Sequence, residues 1–223
     1  MADAKTAGRF ITLEGVDGAG KSTHIPWIAE RLRAGGREVV LTREPGGTPL
    51  AEKLRAVVLA EPMDPLAETL LMFAARADHV RKVIAPALAR GAWVVCDRFT
   101  DATLAYQGGG RAIPMPTVTS FNRFATGGLK PDLTLFFDLS PEEGFRRLGR
   151  RAHRRLDRLE VERAAFYRRV RRSYVALAER EPGRVKRLSA SGSPDEVQER
   201  VLETVERFLH RRGFLKTGAL HSS

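Results

Sequence analysis

Short apolar runs alternate with longer amphipathic stretches along the chain, and this alternation restricts the fold more than any other property of the sequence. Phe10-Ile-Thr-Leu13, Glu38-Val-Val-Leu41, Trp93-Val-Val-Cys96, Leu133-Thr-Leu-Phe-Phe137 and Val185-Lys-Arg-Leu188 have the length and composition of strands. Between them, residues 21–34, 50–59, 67–90, 116–126, 141–150 and 160–181 carry helical spacing or helix-forming residues. Gly35-Gly36, Gly91, Gly127-Gly128 and Pro182-Gly183 stand where glycine or proline would end those helices. The succession predicts an α/β fold of three layers, a five-stranded parallel sheet flanked by helices. Without an internal repeat or a long linker, residues 1–212 are expected to form one domain and residues 213–223 a flexible tail.

Gly15-Val16-Asp17-Gly18-Ala19-Gly20-Lys21-Ser22-Thr23 joins the first strand to the first helix, and its spacing is that of a phosphate-binding loop, or P-loop. The glycines let backbone N–H groups turn inward around phosphate oxygens, and the helix that opens near Lys21 favours an anion at its start. In that reading the sheet is that of a P-loop NTPase fold. Lys21 holds the β- and γ-phosphates of ATP. The Ser22 hydroxyl ligates Mg²⁺, with Asp97 at the end of the third strand as the second metal group.

Composition narrows the class further. A chain of 223 residues with 43% hydrophobic residues suits one folded domain with a sizeable core. The lone cysteine, Cys96, lies in an apolar run and suits a reducing compartment. The first residues are polar and no stretch is long and apolar enough to span a bilayer, so a cytoplasmic protein without membrane attachment is expected. Between Arg146 and Arg187 there are 16 Lys or Arg against 5 Asp or Glu, an excess equal to the chain's whole net charge of +11. Such a patch attracts polyanions, and composition does not choose among nucleic acid, an acidic membrane and a nucleotide.

Other segments decide. Thr12-Leu-Glu-Gly-Val-Asp-Gly-Ala-Gly-Lys-Ser-Thr23, Thr42-Arg-Glu-Pro-Gly-Gly-Thr48, Phe73-Ala-Ala-Arg76, Asp97-Arg-Phe99, Ala105-Tyr-Gln-Gly-Gly-Gly-Arg111 and Leu156-Asp-Arg-Leu-Glu160 occur in this order. Over nearly its whole length the chain resembles the thymidylate kinases, which implies transfer of the γ-phosphoryl of ATP to dTMP, with Mg²⁺, in a homodimer. The resemblance implies that Arg43 and Arg98 handle phosphate, a task that suits the guanidinium fork. It places Asp17 between the donor and acceptor phosphates. Arg76 would bond a carbonyl oxygen of thymine beneath a stacked aromatic ring, and either Phe73 or Met72 would make the stacking contact, because the family's usual spacing falls on Met72. Thr103 and Gln107 would meet the base edge. Tyr106 would exclude a 2′-hydroxyl, and Glu44-Pro45 would be cis.

Residues 146–160 correspond to the lid of these kinases. Where the phosphate loop lacks a basic side chain, the family supplies one from the lid. Gly18 and Ala19 leave that task to Arg150, Arg151, Arg154 or Arg155, and Gly18→Arg is expected to restore the charge to the loop. Two competing readings are a kinase for another deoxynucleotide or nucleoside, and a nucleic-acid-binding protein that uses the basic block. Thr42-Arg-Glu-Pro and Ala105-Tyr-Gln-Gly argue against the first. The second lacks aromatic residues interleaved with the arginines before Phe166, so no nucleic-acid partner is expected.

Overall fold

The computed structural model describes residues 8–149 and 158–214. Strands β1 (Phe10–Glu14), β2 (Val39–Arg43), β3 (Trp93–Asp97), β4 (Leu133–Asp138) and β5 (Val185–Ser189) form one parallel sheet in the order β2-β3-β1-β4-β5. β1 is central and every residue in it is buried, so its side chains face packed layers on both sides. On one face Ile11, Leu13, Val95, Leu135 and Phe137 share a core with Ile28 and Leu32 of helix α1 (Lys21–Ala34) and with Val201 and Val205 of α9 (Pro194–Arg211). On the other, Phe10, Val94, Cys96 and Phe99 pack against Val80, Ile84 and Ala87. Phe136 stacks on Tyr174 of α8 (Arg158–Arg180), with ring centroids 5.0 Å apart.

Helices α2 (Pro49–Ala60), α3 (Pro65–His79), α7 (Pro141–Arg147) and α9 start alike. Thr48, Asp64, Ser140 and Ser193 each accept a hydrogen bond from the first turn and are followed by proline, whose missing N–H is no loss there. The sequence reading did not anticipate α9, although Ser193 and Glu196 form a capping box. The single helix expected over residues 67–90 is interrupted. A π-helical turn, Val80–Ile84, precedes the short helix α4 (Ala85–Ala89), and the N–H of Ala85 reaches the carbonyl of Val80. Pro86 explains the break: it donates no hydrogen bond and its ring would collide with the carbonyl four residues back, so the turn widens before it.

After β3 the chain forms α5 (Thr100–Thr103) and a π-helical segment, Leu104–Gly110, in a region to which the sequence patterns assign no element. The segment's glycines let α8 approach: a Cβ on Gly109 would lie 1.8 Å from Ser173 Oγ. Helix α6 (Met115–Thr126) follows and ends at Gly127, which is left-handed with φ 64°. Phe214, expected in the tail, packs its ring 5.1 Å from that of Trp93, and the tail residues 215–223 lie outside the described residues. So do the lid arginines Arg150, Arg151, Arg154 and Arg155.

Candidate active site

The phosphate loop leaves β1 through Gly15, which has φ 137°, and passes so close to β4 that a Cβ there would lie 2.5 Å from the Phe137 carbonyl oxygen. Val16 and Ala19 point into the core, while Asp17, Ser22 and Thr23 are exposed. Gly20, with φ 84°, stands immediately before α1, and nothing lies within 4 Å of where its Cβ would be. Lys21 is 7% exposed, and its Nζ donates to the carbonyls of Gly15 and Val16, both at 3.1 Å, closing the loop on itself. Gly18 departs from expectation. Its φ is 80° and a Cβ there would lie 2.5 Å from the Gly144 carbonyl of α7, so Gly18→Arg requires α7 to move and is no simple return of charge to the loop.

Arg98 and Asp97 sit beside that loop because β3 neighbours β1. Arg98 is left-handed, with φ 67°, and its Nη2 donates to Asp17 Oδ1 at 2.7 Å. The guanidinium carbon lies 4.9 Å from the centre of the Tyr106 ring. Burial opposes the charge of Asp17, yet Arg98 and Lys21 outweigh it and hold the carboxyl below its usual range. Burial, with help from Arg98, lowers the Lys21 ammonium to about 8 against the opposing pull of Asp97, Asp17 and Glu14. Burial also raises the Tyr106 phenol to about 12 against the opposing pull of Arg98.

A second cluster lies on the other side of Phe99. Arg76, 4% exposed, donates from Nε to Glu44 Oε2 at 2.7 Å, from Nη1 to Thr103 Oγ1 at 2.8 Å and Asn122 Oδ1 at 2.7 Å, and from Nη2 to the Phe99 carbonyl at 3.0 Å. The other Glu44 oxygen lies 3.0 Å from His79 Nδ1, and His79 Nε2 lies 2.6 Å from Thr42 Oγ1. The Glu44-Pro45 bond is cis, as the resemblance implied. Phe73 is 6% exposed and packs with Val118 and Ala125, its ring centroid 5.5 Å from that of Phe121, while Met72 is half-buried.

Two expected site residues are engaged elsewhere. Arg43 ends β2 in register with Asp97 but pairs with Glu52 at 3.0 Å, and Gln107 donates to Glu68 at 3.0 Å. Glu14, Glu44, His79, Asn122 and Tyr174 received no role in the sequence reading. Glu14 and Glu44 stood inside quoted segments, and an acidic residue closing an apolar strand was the available signal.

Residues for the metal fit. Asp97 Oδ1 is buried at the end of β3 without a hydrogen-bond partner among the described residues, and Ser22 is exposed in the first turn of α1. Among the described residues no group of three or more His, Cys, Asp or Glu converges. A metal between phosphates needs fewer, because one or two carboxylates and substrate oxygens complete its shell.

A strand, a glycine loop closed by a buried lysine, and an arginine in the turn after the adjacent strand that pairs with the loop's own Asp17 define a P-loop phosphotransferase. A family model described as thymidylate kinase matches residues 13–201. A thymidylate kinase of Burkholderia ambifaria (strain MC40-6) is 52% identical over 199 residues, which cover 87% of this chain and 96% of that one. Another from Pseudomonas fluorescens (strain Pf0-1) is 56% identical over 190 residues, 84% and 89% of the two chains. The crystal structure of a thymidylate kinase from Ehrlichia chaffeensis shares the fold with a TM-score of 0.73 and 33% identity, covering 90% of this chain and 99% of that one. The chain belongs to the thymidylate kinase family.

The position of Lys21 has a measurable consequence. With its pKa at about 8, the ammonium is about half deprotonated at pH 8 in the empty site, and an arriving triphosphate raises that pKa again. Binding of ATP at pH 8 should therefore take up about half a proton, read by calorimetry in buffers of different ionisation enthalpy. Lys21→Met should abolish the uptake, and equal uptake in both proteins would contradict the assignment.

Proposed function

We propose how this chain's residues divide the reaction of its family, the phosphorylation of dTMP to dTDP with ATP as donor. The observation that carries the reading is the Asp17–Arg98 pair beside Lys21, because it brings one carboxylate and two cations to the mouth of the phosphate loop. Lys21 leaves its loop carbonyls for the β- and γ-phosphates. Arg98 exchanges Asp17 for the acceptor phosphate, Arg43 swings from the exposed Glu52 to the same group, and Asp17 keeps its place between donor and acceptor. Ser22 and Asp97 would hold Mg²⁺, which would supply positive charge to neutralise the phosphates. The N–H groups of Val16, Asp17, Gly18, Ala19 and Gly20 surround the phosphates as the loop closes.

Arg76 reads the base. A guanidinium has five N–H donors and no acceptor. Its hydrogen bonds to Glu44, Thr103, Asn122 and Phe99 occupy four of them, so one remains for a carbonyl oxygen. Thymine offers a carbonyl where cytosine offers an amino group, and an amino group facing a buried donor is rejected. Tyr106, wedged under Arg98, fills the space a 2′-hydroxyl would need.

In a coupled assay over a panel of monophosphates, dTMP should exceed dCMP and the ribo analogue of dTMP. Tyr106→Ala should narrow the preference for deoxyribose by about 1–3 kcal/mol. Equal rates for dTMP and dCMP would refute the role of Arg76.

The lid assignment follows from the loop having no basic side chain at Gly18 or Ala19. One or two of Arg150→Ala, Arg151→Ala, Arg154→Ala and Arg155→Ala should lose roughly 10²–10³-fold in kcat with little change in KM. Wild-type kcat in the quadruple variant would leave these arginines as a solvated face.

We also infer a homodimer. Leu50 and Val57 of α2, Leu66 and Leu70 of α3, and Phe121 and Phe124 of α6 are exposed large apolar residues on adjoining helices, with Phe124 84% exposed. A contiguous apolar face of this kind marks an interface. Phe124→Asp should shift the mass measured by light scattering from two chains to one, and an unchanged mass would exclude α6 from the contact. We infer a cytoplasmic enzyme; the family's chemistry and the buried, unpaired Cys96 support that reading.

A further inference from the structure

Glu14 is fully buried at the end of β1, and neither the phosphate loop nor the nucleotide contacts assigned above use it. Its Oε1 accepts from the backbone N–H of Phe99 at 2.7 Å, and its Oε2 accepts from the Tyr174 hydroxyl, also at 2.7 Å. The first bond falls on the residue after Arg98, whose left-handed backbone is unfavourable for a residue with a Cβ and persists only where its surroundings hold it. Two further bonds hold the same turn, Arg98 N–H to the Leu13 carbonyl at 3.0 Å and the Cys96 thiol to the Arg98 carbonyl at 3.0 Å. The second Glu14 bond reaches α8, the helix that follows the expected lid. Tyr174, 0% exposed, is set there by stacking on Phe136.

We propose that Glu14 is a positioning residue whose buried carboxyl group, itself held by Tyr174 of α8, fixes the turn presenting Arg98 to the acceptor phosphate. The proposal rests on the assignment of Arg98 given above. Arg98, Lys21 and Tyr174 face the carboxyl as cations or donor, and Asp101 faces it as a second acid. Burial and Asp101 push its pKa up to about 8, while Tyr174, Arg98 and the Phe99 N–H oppose the rise. Removing the side chain would leave the Phe99 N–H and the Tyr174 hydroxyl buried without a partner, so the conservative Glu14→Gln is the informative change. The amide keeps an acceptor for Phe99, cannot ionise beside Arg98 and turns a donor toward Tyr174.

The test is a double-mutant cycle on the full chain with ATP and dTMP. Glu14→Gln should lower kcat by about tenfold or more with KM for ATP within about twofold. In the Arg98→Ala background, which is itself impaired, it should cost less than about twofold more, because a residue acting through Arg98 has nothing left to position. Losses that multiply in the double variant would overturn the proposal while leaving Arg98 at the phosphate. A fully active Arg98→Ala would overturn both assignments. Should Glu14→Gln fail to fold, Tyr174→Phe enters the same cycle, keeping the ring and removing only the donor, and the same two outcomes decide.

Discussion

β1 has no exposed residue and no free edge, and the site follows from that confinement. A central strand buried on both faces is ordinarily apolar throughout, yet Thr12 and Glu14 are both 0% exposed. Polar groups in such a place must be satisfied from within, since an unpaired one costs about 1–3 kcal/mol. Thr12 meets Thr134 of β4 at 2.8 Å, Thr134 and Arg184 both meet Asp101, and Glu14 meets Phe99 and Tyr174. The strand that carries the phosphate loop is thereby tied to α5, to the turn after β3 and to α8. The turn after β3 is the one that presents Arg98, to which the proposed function gives the acceptor phosphate.

Arg76 shows the same economy. Its neighbours come from the segment after β2, from α5 and α6 and from the turn after β3, so a guanidinium on α3 can point only one way. Glu44 takes Arg76 with one oxygen and faces His79 with the other, and His79 reaches back to Thr42, so the segment that enters the cis Glu44-Pro45 bond is bonded to α3 at two points. A guanidinium held from four sides has little freedom left to lose, so if it reads the base as proposed it favours selectivity over adaptability.

How much of this was legible depended on whether the signal was local. The five strands were readable because each is a compact apolar run, and the phosphate loop because its spacing is tied to a turn that glycine alone makes cheaply. The break at Val80–Ile84 was partly legible, since Pro86 was in plain view but the widened turn that relieves it is not a composition. Residues whose meaning depends on partners distant in sequence were not legible. Nothing near Glu14 in the chain announces Tyr174, and nothing near Arg76 announces Asn122. Gly18 misled for the same reason: the obstacle to a side chain there is a carbonyl of α7.

The basic block makes the point for electrostatics. Read as composition it is one patch, but its arginines perform different tasks. Arg171 and Arg187 converge on Asp138, at 2.6 and 2.7 Å, and Arg184 grips Asp101 at 2.6 Å and Glu181 at 2.9 Å. Arg169 donates twice to the Gly110 carbonyl and Arg168 pairs with Glu142. These arginines lace α8 and β5 to the sheet and to the π-helical segment, work for which a planar fork is better suited than a lysine ammonium. Arg146 and Arg147 both lie on Glu143, whose carboxyl they lower to about 2. A run of charge that looks uniform therefore contains, among the described residues, many arginines that their carboxylate and carbonyl partners commit to holding helices in place. A nucleic-acid surface would need the opposite arrangement, with the arginines of α8 and β5 unpaired and facing outward together.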